Sequence, residues 1–180
     1  GSEFAGVIEA LGQGVNSLTI GQRVACLPGT GGFGTHALAP EKLCLPLPDS
    51  FPAVDAAAFI MIYATSHHAL IDRGQLKAGE TVLVLGAAGG VGTSAIQIAK
   101  AAGARVIAAA SSDEKCELCR HIGADATINY STHHLRDEVK ALTEGKGPDV
   151  IYDPVGGDLA EFVLAVEEAG GVVGDGLKSL

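Results

Sequence analysis

The chain has 180 residues, with 12 basic against 21 acidic side chains and a formal net charge of −9. That balance, with no basic block to offset it, argues against a general nucleic-acid or anionic-membrane binder. Its mean hydropathy of +0.31 rests on Ala, Val and Gly, and no apolar run reaches membrane-spanning length. The four cysteines (Cys26, Cys44, Cys116 and Cys119) lack disulfide-framework spacing, which implies a reducing cytoplasm.

From Gly1 to about Pro48, short alternating runs are punctuated by Gly and Pro: Phe4 to Leu11, Arg23 to Leu27, His36 to Ala39 and Lys42 to Leu45. This spacing predicts a small β-rich, partly open barrel over residues 1–52. Gly29 to Gly34 is read as a loop rather than a phosphate loop, because no helix and no P-loop lysine follow it. Pro52 to Asp72 has a broad apolar side of Ala56, Ala57, Ala58, Ile60, Met61, Ala64, Ala69 and Leu70, with Gly74 as a stop. It predicts a connecting helix within 53–74, followed by a second domain over 75–180.

From Lys77 onward strand and helix signals alternate. Strands are predicted over 81–85, 105–110, 125–130, 149–155 and, weakly, 171–173; helices fall over 91–102, 112–122, 135–144 and 158–169. Alternation of this kind specifies an α/β fold, a doubly wound parallel sheet covered on both faces. At its centre, Thr81 to Gly92 passes from a β-branched and aliphatic run into a small-residue turn that opens a helix. Set against G-x-G-x-x-G, the second and third glycines are Gly89 and Gly92, and the first is replaced by Ala87. A helix N-terminus free of Cβ atoms, with N–H groups and a positive dipole end, is what a dinucleotide pyrophosphate needs.

Gly79 to Gly92 resembles the quinone oxidoreductase (zeta-crystallin-like) branch of the zinc-independent medium-chain dehydrogenase/reductase family. The resemblance includes Gly1 to Val7, Gly21 to Val24, Ser112 to Lys115, Gly123 to Asp125, Ile128 to Tyr130 and Asp153 to Gly157, and fades after about Phe162. It implies a Rossmann-type domain preceded by part of a GroES-like catalytic domain. It also implies NADPH as cofactor and hydride transfer, without metal, to a small-molecule quinone or α,β-unsaturated carbonyl (enone). Family members are longer and often homodimeric, so the chain is expected to be truncated at both ends, without the strands of the dimer contact. Two other readings stay open: an enoyl reductase module of a polyketide synthase, and an NADPH-binding protein without turnover.

The resemblance also proposes site residues. It places the end of the second strand, where NAD enzymes carry a carboxylate, at the uncharged Ala110. Ser111, Ser112, Lys115 and Tyr130 match positions around an NADP 2′-phosphate. A lysine in the first turn of a helix opposes the macrodipole unless an anion lies nearby. The alternative is a capping box of Ser111 with Glu114, a solvated Lys115 and a strand-end Tyr130 in the core. Asp113 places a carboxylate in the same loop. Thr65 matches a threonine near the nicotinamide, or is a helical Thr bonded to a backbone carbonyl. His68, Gly90, Val91 and Val155 match other cofactor-cleft positions. No metal site is expected. Ser2 stands where zinc members have a histidine, Cys116-x-x-Cys119 sits inside a helix, and the adjacent pairs His67-His68 and His133-His134 do not share a face. No proton donor emerges from spacing.

Overall fold

The computed structural model describes residues 1–159 and 172–174, in two compact units, Gly1–Ile62 and Tyr63–Leu180.

In the first unit, β1 (Phe4–Val7), β2 (Arg23–Cys26) and β3 (Cys44–Pro46) form an antiparallel sheet in that order. Val24 and Cys26 point with Leu18 into a small core, against which Phe4, Ile8, Val15, Ala39 and Cys44 pack. Glu41 ties two loops together by accepting from the Asn16 and Ser17 backbone N–H groups, and the Ser17 hydroxyl holds its carboxyl below the usual range. The strand expected over His36 to Ala39 does not form. Ala39 packs against the small core, but Leu38 is 96% exposed and His36 is spent on a surface pair with Glu9 at 3.0 Å.

The single helix expected over Pro52 to Asp72 is also not what the chain adopts. It is divided into α1 (Ala53–Ala56), α2 (Ile60–His67) and a π-helical segment, His68–Arg73. Between the two α-helices, Ala58 N–H donates to Asp55 and Phe59 N–H to Ala56, three residues back each time. The break accompanies an edge-on contact of Phe59 with Phe51, centroids 5.5 Å apart. Alanine's high helix propensity conceals such a break, because propensity is a weak prior beside an aromatic contact.

In the second unit, β4 (Thr81–Val84), β5 (Arg105–Ala110), β6 (Ala126–Asn129), β7 (Val150–Tyr152) and β8 (Val172–Gly174) make a parallel sheet in the order β6-β5-β4-β7-β8. Counted from β4 this is 3-2-1-4-5, the Rossmann order. Successive residues of the central strand feed opposite cores. Val82 and Val84 join Val106, Ala108, Val150 and Tyr152 beneath Ala95, Ile96 and Ala99 of α3 (Gly90–Ala101) and Cys119 of α4 (Asp113–His121). Leu83 and Leu85 join Ile107, Ala109, Ile128 and Ile151 against Leu135 and Val139 of α5 (Leu135–Leu142). Burying each Val, Leu or Ile contributes about 1.5–3 kcal/mol, which is why a sheet covered on both faces reads as unbroken apolar runs.

Asp125, just before β6, closes one end of this sheet. It accepts from Lys100 Nζ at 2.7 Å and from Val106 N–H at 2.7 Å. Burial pushes its carboxyl up, but these two bonds and the nearby Lys100 and Arg105 charges outweigh it and hold the group below the ordinary value. The helix expected over 158–169 lies outside the described residues beyond Leu159, and Gly157–Leu159 is a 3₁₀ turn.

Candidate functional site

Open α/β sheets bind ligands outside the carboxyl ends of the strands, where the strand order reverses. Here that point lies between β4 and β7, and the glycine turn follows β4 directly. Leu85 N–H donates to Tyr152 O and Ala87 N–H to Ala109 O, so the turn hangs from both neighbouring strands before it enters α3.

The three glycines divide their work. Gly86 carries the left-handed conformation, with φ +57°, and a Cβ there would fall 2.6 Å from Val155 Cγ2. The apolar run breaks at Gly86, as its sequence implies, and Gly86 makes the turn, while Ala87 at the first position of the glycine template is fully buried. Gly92 is required by packing: a Cβ would lie 2.6 Å from both Ala87 Cα and Gly86 O. Gly89 differs from both. It is exposed, has φ −79°, and a Cβ on it would meet only Gly86 O at 3.4 Å, an ordinary contact. Neither backbone strain nor packing requires a glycine there. Gly89 is the N-cap of α3, no side chain caps the turn, and Gly90 beside it is exposed. The first N–H groups of α3 thus have no intrahelical acceptor and no side-chain cap, the arrangement that accepts an anion.

Beneath the turn lies a buried polar cluster that sequence reasoning missed. Ser66 Oγ donates to Val91 O at 2.8 Å or shares its proton with Ser94 Oγ at 2.8 Å, and Tyr152 Oη lies 3.2 Å away. Burial pushes the Tyr152 phenol above its usual value, with the Ser66 contact acting the other way. The cluster fixes α2, the first turn of α3 and the end of β7 to one another. Its one sequence trace is a serine within the otherwise apolar side of a helix. Thr65, next to it, is half-buried and, among the described residues, its hydroxyl bonds no carbonyl. His68 Nδ1 is held by Asp72 Oδ2 at 3.0 Å.

A second group assembles at the ends of β5 and β6. Lys115 Nζ donates to Ser111 Oγ at 2.9 Å. Ser112, not Ser111, is the N-cap of α4: its Oγ accepts from Lys115 N–H at 3.3 Å. The capping box of Ser111 with Glu114 does not form, because Ser112 is the residue in extended geometry at the helix entrance. Ser131 Oγ donates to Ser111 O at 2.9 Å, and Tyr130 N–H donates to Ala110 O at 3.1 Å, holding the two strand ends together. Asn129 Nδ2 donates to Asp113 Oδ1 at 2.8 Å, which occupies the carboxylate in that loop. Tyr130 is half-buried against the Leu83 core.

After β7, Asp153 Oδ1 accepts from both Val155 N–H and Gly156 N–H at 2.9 Å, which fixes Val155 over Gly86. The structure therefore brings Val155 to the glycine turn and Ser111, Ser112 and Lys115 to one another, while Tyr130 joins the strand end by its backbone and packs its side chain on the Leu83 core. Among the described residues no bond links His68 to either group, and no three His, Cys, Asp or Glu side chains converge as a metal site. No helix among them is long and apolar enough to cross a membrane.

Two family models match the chain: the alcohol dehydrogenase GroES-like domain over residues 1–49 and the zinc-binding dehydrogenase domain over 90–176. A quinone oxidoreductase of Pseudomonas aeruginosa is 44% identical over 166 residues, 91% of this chain and 51% of that protein. A phenolphthiocerol/phthiocerol polyketide synthase polypeptide of Mycobacterium tuberculosis is 36% identical over 171 residues, 95% of this chain and 8% of that protein. The crystal structure of Escherichia coli quinone oxidoreductase complexed with NADPH superimposes with a TM-score of 0.86 at 33% identity, over 91% of this chain and 51% of that one. The chain thus spans about half the length of the quinone oxidoreductases it matches. Together, the Rossmann strand order, the glycine turn, and likeness over both units to quinone oxidoreductases show that the chain belongs to the quinone oxidoreductase-like branch of the medium-chain dehydrogenase/reductase family.

Proposed function

We propose that the chain is the cofactor-binding part of an NADPH-dependent reductase that delivers a hydride to a quinone or an α,β-unsaturated carbonyl. The observation that carries this reading is the pair of anion-ready groups on one sheet. One is the uncapped first turn of α3 at the switch point. The other is Lys115 with Ser111 at the end of β5. Their chemistry fits the pyrophosphate and the 2′-phosphate of NADPH, the second of which distinguishes it from NADH, and the NADPH complex of the Escherichia coli relative supports the choice of cofactor.

In this reading Gly89, Gly90, Val91 and Gly92 present backbone N–H groups to the pyrophosphate. Ser111, Ser112 and Lys115 hold the 2′-phosphate, with Tyr130 beside it. Thr65, His68 and Val155 belong to the nicotinamide side. Bound there, the reduced nicotinamide supplies the hydride. The chain's own residues orient the cofactor: Gly86 and Gly92 let turn and helix approach closely, Ser66 fixes the helix, and Val155 covers Gly86. An uncharged Ala110 leaves no carboxylate on its strand end to repel a 2′-phosphate. A small neutral acceptor suits a chain with no basic block for nucleic acid.

The similarity to a polyketide synthase over 95% of the chain supports a second reading, an enoyl reductase module. Turnover by the whole protein separates the two. With NADPH and 1,2- or 1,4-quinones, oxidation faster than with α,β-unsaturated thioesters supports the quinone reading, and the reverse order supports the module. NADPH bound without oxidation by either acceptor class contradicts a reductase.

A further inference from the structure

The first unit holds a pair of cysteines that the reductase reading does not use. Cys26 on β2 and Cys44 on β3 are register partners, and their sulfurs lie 3.5 Å apart. The hydrogen bonds around them define the kind of pair. Leu27 N–H donates to Leu43 O on one side, and Leu47 N–H donates to Arg23 O further along. In an antiparallel ladder hydrogen-bonded and non-hydrogen-bonded pairs alternate, so with 27/43 and 23/47 bonded, 26/44 is a non-bonded pair. Such pairs bring Cα atoms to about 4.5 Å and side chains closest together. A disulfide spans Cα separations of about 4.4–6.8 Å. The backbone is therefore already placed for a bond, and the sulfurs need only close on each other by side-chain rotation.

The two thiols also differ in the way a two-step oxidation requires. Cys44 is half-buried, whereas Cys26 is buried. Both line a cavity of about 620 Å³ within this unit, which admits a small oxidant. Burial pushes the Cys26 thiol up to about 12, and contact with the Cys44 thiol acts in the same direction, so Cys26 is a poor first nucleophile. The other two cysteines provide a contrast. Cys116 and Cys119 are both buried on one helix, and burial pushes Cys119 up to about 11.

We propose that Cys26 and Cys44 form an oxidisable dithiol that a hydroperoxide converts to a cross-strand disulfide joining β2 to β3. The Cys44 thiolate attacks the peroxide O–O bond. That bond breaks, Cys44 becomes a sulfenic acid, and the leaving hydroxide (or alkoxide) takes from solvent the proton that the Cys44 thiol released, departing as water (or an alcohol). The Cys26 sulfur then attacks the Cys44 sulfur. The S–S bond forms, the S–O bond breaks, and the hydroxide leaves with the Cys26 proton as water. Two thiols lose two electrons in all, and one peroxide gains them. This inference is independent of the reductase reading, because it concerns neither the glycine turn nor the cofactor.

The test uses the wild-type chain. Reduced protein is treated with hydrogen peroxide, denatured, alkylated and digested for mass spectrometry. The expected result is a loss of 2 Da from the intact monomer and one linked peptide pair containing Cys26 and Cys44. Dithiothreitol should reverse both, and Cys116 and Cys119 should remain alkylatable. In Cys26→Ser the peroxide product should be a dimedone-reactive sulfenic acid on Cys44. Full alkylation of Cys26 and Cys44 after peroxide would overturn the proposal, as would a bond that joins either to Cys116, to Cys119 or to another chain.

Discussion

Lys115 Nζ donates to Ser111 Oγ across 2.9 Å, from the first turn of α4 back to the end of β5. A cation in the first turn of a helix opposes the macrodipole, and one hydroxyl does not neutralise it. A phosphate would. Charge-assisted contacts to phosphate contribute about 1.5–3 kcal/mol, or about tenfold or more in affinity. Lys115→Ala should therefore weaken NADPH binding at least about tenfold and leave NADH unchanged. Fluorescence titration with both cofactors checks this, and equal losses for the two would remove Lys115 from the 2′-phosphate.

Gly89 and Gly92 should separate under the same substitution. Gly92→Ala forces a Cβ to 2.6 Å from backbone atoms of Gly86 and Ala87 that cannot swing away. It should cost about 3 kcal/mol, the upper end of over-packing. Gly89→Ala has space and an ordinary backbone conformation, so its cost in stability is at most about 1 kcal/mol, through the N-cap. Its effect falls on pyrophosphate affinity instead. Urea melts beside NADPH titrations read the two effects independently.

Ser66→Ala removes the hydroxyl that joins Val91 O, Ser94 and Tyr152 in a buried setting. Leaving buried polar groups without it costs about 1–3 kcal/mol. Tyr152→Phe removes one member and not the hub, and should cost no more than about 1 kcal/mol. Thermal unfolding of both variants should give that order, and the reverse order would shift the hub to Tyr152.

Asp125 gives the fold an acid limb. Its carboxyl is held below its ordinary value in the folded chain, so its contribution is fully present above the unfolded pKa of about 3.9. It is lost as pH falls through the lower, folded value. The Lys100 and Asp125 side chains are each 37% exposed, so solvent limits the effect to about 1 kcal/mol. Asp125→Asn should lower stability at pH 7 by about that amount and reduce its fall between pH 5 and pH 2. Urea midpoints across that range check both.

Much of the second unit was legible in the sequence, because buried parallel strands are unbroken apolar runs and their helices repeat at a different period. Val82 to Leu85 and Arg105 to Ala110 left little room for error. Three features were not legible, each for a tertiary reason. The break before Ile60 coincides with Phe59 meeting Phe51, a contact that no local propensity encodes. The choice of Ser112 over Ser111 as the cap depends on which residue the chain holds extended. Ser66 gains its meaning only when Ser94 and Tyr152, distant in sequence, are brought to it. The glycine turn was legible too, because the apolar run ends at Gly86 and Gly86 carries the left-handed conformation.

Recognition of a 2′-phosphate at the end of β5 is tested by two fragments that differ by that group alone. Calorimetric titration of the chain with adenosine 2′,5′-bisphosphate and with 5′-AMP isolates it from the nicotinamide side. The bisphosphate should bind at least about tenfold more tightly, and Lys115→Ala should remove the difference. Equal affinities for the two fragments in the wild-type chain would contradict it.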